Sequence, residues 1–318
     1  MGGAARTVHV VGNVQMDVVA SPVLGLPLPG GDDIVDTIAV RPAGAAGNVS
    51  LALAALGVRH RLFGAVGDDQ AGLWVADDLR RRGLADDLQT VAGHDTGISI
   101  ALEAPDRERA FLTAHGVLSS YGEQDLPADA VEADLVLLTG YFSMPGLRGA
   151  GTRTLLERAR ALGATTAFDT GWDPEDWSGD AAAEILSMLP LVDIFLPNEP
   201  EAAALTGTSD MDKAQTILRE HCAGWIVVKR GPSGVVATGP DGERLTIPAP
   251  PVVAVDTTGA GDSLAAGMLA DLSEERDMSE ALVTGVRVAS TVVGRSSRNR
   301  YPSLDELLPL ETPSPGSR

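Results

Sequence analysis

Residues 133–171 read ADLVLLTGYFSMPGLRGAGTRTLLERARALGATTAFDTG. An apolar run ends at Thr139-Gly140, the stretch Gly149–Leu162 carries apolar residues near helical spacing, and a second apolar run ends at Asp169-Thr170-Gly171. The same alternation extends outward in both directions. Strand-like runs occur at TVHVVGN (7–13), RLFGAVG (61–67), VDIFLPN (192–198) and GWIVVKRG (224–231), and helical patterns at Val49–Leu56, Ala71–Arg82, Glu199–Leu205 and Asp212–Glu220. Strands alternating with helices predict a mostly parallel sheet covered on both faces. Such sheets bind ligands beyond the carboxyl ends of their strands. Here those ends repeatedly carry Gly with a polar residue, as at Gly12-Asn13, Gly67-Asp68, Asn198-Glu199 and Lys229-Arg230-Gly231, so one common cleft is expected.

Two regions break the alternation. Residues 15–43 and 97–113 read as extended, hairpin-like segments with polar turns and no helix of their own. They fit either a small separate sheet acting as a lid or long surface loops with edge strands. The expected organisation is one domain over 1–310 with these segments inserted, followed by a frayed tail, 311–318.

Composition narrows the function. Aromatic residues are 4% of the chain against 44% hydrophobic, so the core is expected to be built from Ala, Val and Leu. The formal net charge is −20, with 44 acids against 24 Lys plus Arg. Acidity on that scale repels phosphate backbones and anionic lipid, which argues against nucleic acid and membrane as partners. The single cysteine, Cys222, precludes an intrachain disulfide and reads as a buried structural thiol. The N-terminus has no apolar core of a signal peptide and no run of 18 apolar residues occurs, so a cytoplasmic protein is expected.

Two stretches carry chemistry. In AVDTTGAGDSLAAGMLADL (254–272) a Gly-rich turn meets Asp262 and enters a helical pattern. Backbone N–H groups of such a turn and the positive end of the helix make an anion hole, beside which Asp262 reads as a general base for phosphoryl transfer. Asp is also a good helix cap and Gly a good turn former, so the stretch alone admits a purely structural reading. In RPAGAAGNVSLALAALGV (41–58) small residues allow close approach of a ligand and Asn48 offers donor and acceptors suited to a polyol, or else caps a tightly packed helix.

Together these stretches resemble the two signatures of the ribokinase-like, phosphofructokinase-B sugar kinase family: AGAAGNVS followed by Gly57 and Gly67, and DTTGAGDSLAAGML. The resemblance extends from Val8 to about Leu308. It implies a three-layer α/β/α sandwich with a small β-sheet lid, a cytoplasmic enzyme using ATP with Mg2+, and pairing of two subunits through the lid. It implies Asp262 as catalytic base and the amides of Gly259, Ala260 and Gly261 as the anion hole. It also places Asp17 and Asn48 on substrate hydroxyls, Gly44 near the sugar, and Asn13 beside it at the first strand end. For nucleotide and magnesium, PNEPEA supplies Asn198 and Glu201, acting through water, and VVKRGPSG supplies Lys229, Gly231 and Gly234, which also read as a turn between hairpin strands. Asp256 and Thr258 match residues that bind an activating potassium ion in some members. The partner loop GRSSRNRYPS (294–303) contains three arginines, and monovalent activation stays open.

The acceptor is less fixed. Ala45 follows Gly44 where ribokinases usually carry Lys, and the motif from Ala43 to Asn48 has no cation for a phosphorylated sugar, so an unphosphorylated sugar is expected. A nucleoside kinase, using a slot from Phe111, Tyr141, Phe142, Trp172 or Trp177, is one alternative, and a non-catalytic sugar- or nucleotide-sensing protein is another. Arg107 and Arg109, near a lid turn, read as solvated surface charges.

Overall fold

The computed structural model describes residues 5–25, 29–104, 109–296 and 299–310, so Arg107 and the 311–318 tail lie outside the described residues. The strands in chain order are β1 (Val8–Gly12), β2 (Gln15–Ser21), β3 (Thr37–Ala43), β4 (His60–Gly67), β5 (Leu88–Val91), β6 (Ile98–Glu103), β7 (Arg109–Ala114), β8 (Leu135–Thr139), β9 (Thr165–Asp169), β10 (Ile194–Phe195), β11 (Trp225–Lys229), β12 (Val235–Thr238) and β13 (Arg244–Ile247). The helices are α1 (Ala45–Ala55), α2 (Gln70–Arg81), α3 (Ala150–Ala161), α4 (Ala181–Met188), α5 (Glu199–Thr206), α6 (Met211–His221), α7 (Ala260–Ser273) and α8 (Met278–Val293).

Among the described residues, nine strands form one sheet in the order β13-β12-β11-β10-β9-β8-β1-β4-β5. It is parallel except for the β11-β12-β13 meander at one edge. Every residue of β1 and of β8 is buried, as expected of parallel strands covered on both faces, which read as continuous apolar runs. β10 is shorter than the run at 192–198 because Pro197 has no N–H for the ladder, and pairing resumes only as a bridge between Asn198 and Lys229. β1 lies between β8 and β4, so the strand order reverses there and opens a crevice at the carboxyl ends.

Two apolar cores sit on opposite faces of the sheet. One packs Val8 and Val10 of β1 with α1, α2, α7 and α8, largely through alanines such as Ala52, Ala265, Ala266 and Ala281. The other packs Val11 with α3, α4, α5 and α6. Cys222 is buried in this second core, its thiol directed to the Val192 carbonyl at 3.5 Å. Among the described residues, no helix is long and apolar enough to cross a membrane.

The two interrupting segments form a second sheet, β3-β2-β6-β7. β2 and β6 are parallel, and the outer pairs are antiparallel. Strand alternation gives it two unlike faces. The row Arg41-Asp17-Ser99-Thr113 crosses one face, continued by the pair Glu103-Arg109; the row Val40-Val18-Ile100-Leu112 crosses the other. The polar face is turned toward the carboxyl ends of the main sheet, where Arg41 and Arg109 meet Asp256.

Candidate active site

α7 begins at Gly259, whose φ of +65° is in the left-handed region. A Cβ there would lie 3.0 Å from Asn48 Nδ2, so glycine serves both the turn and the close approach of α1. The first turn of α7 leaves N–H groups without intrahelical acceptors. The N–H of Ala260 makes a long bond to the Thr257 carbonyl, 3.3 Å.

Asp262, in that first turn, accepts a hydrogen bond on Oδ2 from Asn48 Nδ2 at 2.8 Å. Tyr301 donates its hydroxyl to Asn48 Oδ1 at 2.9 Å, which fixes the orientation of the Asn48 amide. Burial, reinforced by the neighbouring Asp169 charge, pushes the Asp262 carboxyl up to about 7, against the opposing pull of Asn48, Lys229 and Arg300. Gly259 at the cap position has no side chain to close this helix start, and Asp262 is the acid of the first turn. A carboxyl raised toward neutrality in the first turn of a helix has the placement and proton affinity that a general base needs, alongside its bond to Asn48.

Beneath this turn lies a buried ion pair. Lys229 Nζ, at the end of β11, is 2.6 Å from Asp169 Oδ2, at the end of β9. A Cβ on Gly261 would sit 3.3 Å from the same Nζ, so the ammonium abuts the α7 turn. Asp169 was not singled out as a functional residue by sequence; its signal was an acid at the carboxyl end of a parallel strand. Glu201 completes the group, its carboxyl pushed up to about 6 by burial and the Asp169 charge against the attraction of Lys229.

Asn198 and Glu201 form a reciprocal cap at the start of α5. Asn198 Oδ1 accepts from the Glu201 N–H, and Glu201 takes the Asn198 N–H on Oε2 and the Asn198 Nδ2 on Oε1, each at 2.8 Å. Each carboxylate oxygen has a second lone pair, so water-mediated contact with a magnesium ion is compatible with the cap. Among the described residues, no group of three or more His, Cys, Asp or Glu side chains is placed to hold a metal directly. Gly231 and Gly234 belong to the tight turn joining β11 to β12, as the hairpin reading expects. They also line, with Lys229, Ala260, Gly261 and Ala289, a slot of about 90 Å3 on the other side of the α7 turn from Asn48.

Where the chain leaves β1, Asn13 holds the framework. Its Oδ1 accepts from the Ala45 N–H (3.0 Å) and its Nδ2 donates to Gln15 Oε1 (3.1 Å), while Gln15 Nε2 donates to Asp17 Oδ1 (3.1 Å). The relay aims Asp17, which is buried on the polar face of the lid. Gly44, with φ +89°, turns the chain from β3 into α1 so tightly that a Cβ would lie 2.3 Å from the Asn13 carbonyl oxygen.

One expectation is overturned. Arg109 is not a solvated charge: its side chain is 7% exposed and its guanidinium bridges Glu103 and Asp256, 2.8 Å from Asp256 Oδ1. β7 pairs Arg109 opposite Glu103 on the lid's inner face, which directs it back at the body. Asp256 also receives Arg41 Nη1 at 2.6 Å and Arg300 Nη1. Burial pushes its carboxyl up, but Arg300, Arg41 and Arg109 outweigh that and hold it well below the usual carboxylate range. Thr258 donates its N–H to Asp256 Oδ1 (2.9 Å) and its hydroxyl oxygen accepts from Arg109. The oxygens matched to a potassium site thus face guanidinium groups.

Of the aromatic candidates, Tyr141 and Phe142 are buried core residues, edge-to-face with each other at 5.0 Å and with Phe168 and Trp177 respectively. Phe111 and Trp172 are exposed, Phe111 on the lid's inner face.

Comparison with known proteins agrees with this geometry. The model of the pfkB family carbohydrate kinases matches residues 5–304. The chain is 31% identical over 311 residues to an uncharacterised sugar kinase of Escherichia coli strain K12, YegV, covering 95% of this chain and 93% of that protein. It is 30% identical over 297 residues to the ATP-dependent ribose-1-phosphate kinase of Halopiger xanaduensis, covering 92% and 94%. The crystal structure of adenosine kinase from Sinorhizobium meliloti superposes with a TM-score of 0.77 at 28% identity, covering 92% and 95%. With both signature stretches meeting at Asn48 and Asp262 on this sheet, the chain belongs to the pfkB family of carbohydrate kinases.

Proposed function

We propose that the protein transfers the γ-phosphoryl group of ATP to a primary hydroxyl of a small unphosphorylated sugar. The observation that carries this reading is the Asp262 carboxyl, raised to about 7 and clamped by Asn48 at the N-terminus of α7. With Oδ2 engaged, Oδ1 accepts the proton of the attacking hydroxyl. The sugar oxygen bonds to the γ-phosphorus as the bond to the bridging oxygen breaks, and ADP leaves with that electron pair. N–H groups at Gly259, Ala260 and Gly261 stabilise the charge on the moving phosphoryl group, with the α7 dipole behind them. Asp17 and Asn48 hold acceptor hydroxyls, Gly44 brings backbone close to the sugar, and Asn13 acts through Gln15 to position Asp17. The nucleotide lies along Lys229, Gly231 and Gly234. Magnesium bound through water near Asn198 and Glu201 supplies charge neutralisation at the phosphates.

Charge balance supports an unphosphorylated acceptor. The guanidinium groups of Arg41, Arg109 and Arg300 face the carboxylates of Asp17, Glu103 and Asp256, so they offer no surplus positive charge to a sugar phosphate. A second reading, a nucleoside acceptor, is favoured by Phe111, 53% exposed on the lid's inner face where a base can stack. A second copy of the chain is the proposed cover for the lid's apolar face, where Ile38 and Leu112 are 65% and 58% exposed. Cytoplasmic location fits an enzyme supplied with ATP.

The test is ADP release with pentoses, hexoses, keto-acid sugars, their phosphates and nucleosides as acceptors. Product from an unphosphorylated sugar is expected. Product from nucleosides alone moves the assignment to the second reading, product from sugar phosphates alone overturns the charge argument, and no product from any acceptor leaves a sensing protein.

A further inference from the structure

The residues matched to a monovalent-cation site do not fit a free cation. A hard cation is held by oxygens turned toward it. Here Asp256 Oδ1 accepts the Thr258 N–H at 2.9 Å and faces Arg109 Nη1 at 2.8 Å, and Oδ2 faces Arg41 Nη1 at 2.6 Å and Arg300 Nη1. The Thr258 hydroxyl oxygen is turned to Arg109. Every one of these oxygens points at a permanent positive charge, since guanidinium does not lose its proton in proteins.

We propose that Arg41, Arg109 and Arg300 together take the place of a dissolved monovalent cation at Asp256, and that two of them reach it only because the lid carries them. Arg41 belongs to the lid strand β3 and Arg109 begins the lid strand β7, whereas Arg300 comes from the segment after α8. Asp256, Thr257 and Thr258 lead directly into Gly259 and the α7 turn. The positive charge that orders this lead-in is therefore part of the chain, and it does not vary with the salt around the protein. A dissolved ion would stabilise the folded state in proportion to its occupancy; tethered guanidinium groups remove that dependence. All three are positioning residues, acting on the α7 turn through Asp256. The role of the turn rests on the kinase reading, whereas the exclusion of a cation does not.

Two measurements decide it. Thermal unfolding and the affinity for a non-hydrolysable ATP analogue with Mg2+ are compared in potassium chloride and in tetramethylammonium chloride at equal ionic strength. Wild-type protein is expected to give the same melting temperature and the same affinity in both salts. Arg300→Ala and Arg109→Ala are expected to weaken analogue binding and lower the melting temperature, with part of each loss recovered by potassium and none by tetramethylammonium. A generic structural loss would show no preference between the salts. Potassium-specific stabilisation of the wild type overturns the proposal without any variant, as do variants equally impaired in both salts. If the analogue does not bind wild-type protein in either salt, the kinase reading fails, while the melting comparison still decides the cation question.

Discussion

Asp262 combines two properties that pull against each other. Its carboxyl ionises at 3.8 in the ordinary case and at about 7 in the fold, so between those values the folded chain binds a proton that the unfolded chain releases. Stability contributed by this group therefore falls as pH rises from about 4 to about 7 and is level above. Asp262→Asn should lower turnover roughly 100- to 10,000-fold. The same variant should melt higher than wild type above pH 7, with the difference closing toward pH 4. A wild-type rate that rises with a midpoint near pH 7 is the companion expectation, read from kcat/KM against pH; a flat acidic limb would remove Asp262 as the base. Asn198→Ala tests a second residue: losing its cap bonds should cost about 1 kcal/mol in urea unfolding, besides weakening Mg2+-nucleotide binding. At this scale the sequence was legible where a residue sits inside a contiguous motif, as Asp262 and Asn48 each do, and the structure brings those two motifs into contact. It was silent on Tyr301, which reaches Asn48 across 253 positions, and on the pairing of Asp169 with Lys229 across 60. Sheet order brings the ends of β9 and β11 together, and packing of the segment after α8 brings Tyr301 to α1.

Among the elements, the lid depends most on a detail that alternation alone does not supply. Residues 15–43 and 97–113 announced extended, hairpin-like segments through their polar turns, but not their register. A slip of one residue would exchange the faces, sending Arg41 and Asp17 outward and Val18 and Val40 over the cleft. The observed pairing of Asp17 with Arg41 and of Glu103 with Arg109 is what makes the inner face polar. It also explains why Arg109, the first residue of β7, is buried. The apolar row Val40-Val18-Ile100-Leu112 then predicts that Ile100→Glu will convert a dimer into a monomer by sedimentation equilibrium, with little change in far-ultraviolet circular dichroism. A wild-type chain that sediments as a monomer at all concentrations would refute lid pairing.

For the whole molecule, a formal charge of −20 on 318 residues implies self-repulsion in the folded state. Raising sodium chloride from low concentration to about 0.5 M shortens the Debye length several-fold, so the melting temperature should rise; a fall would show that local ion pairs outweigh the repulsion. The fold class was readable from the succession of apolar runs because parallel strands buried on both faces leave little ambiguity. The β11-β12 hairpin was readable from its Gly-rich turn, but the placing of that hairpin at the sheet edge and the division of helices between two cores were not, since both depend on which strand neighbours which.

The chain passes between body and lid through Asn13 and Gly44, which lie against each other at the end of β1. Asp17 and Arg41 are on the lid side of that crossing, and Asn48 and Asp262 are on the body side. On the proposed function the acceptor is held from both sides of that crossing, by Asp17 and Asn48, and is deprotonated from the body side alone, by Asp262. On that reading the site is a logical conjunction, in which neither half alone is complete, and a water molecule, too small to touch both, would not satisfy it.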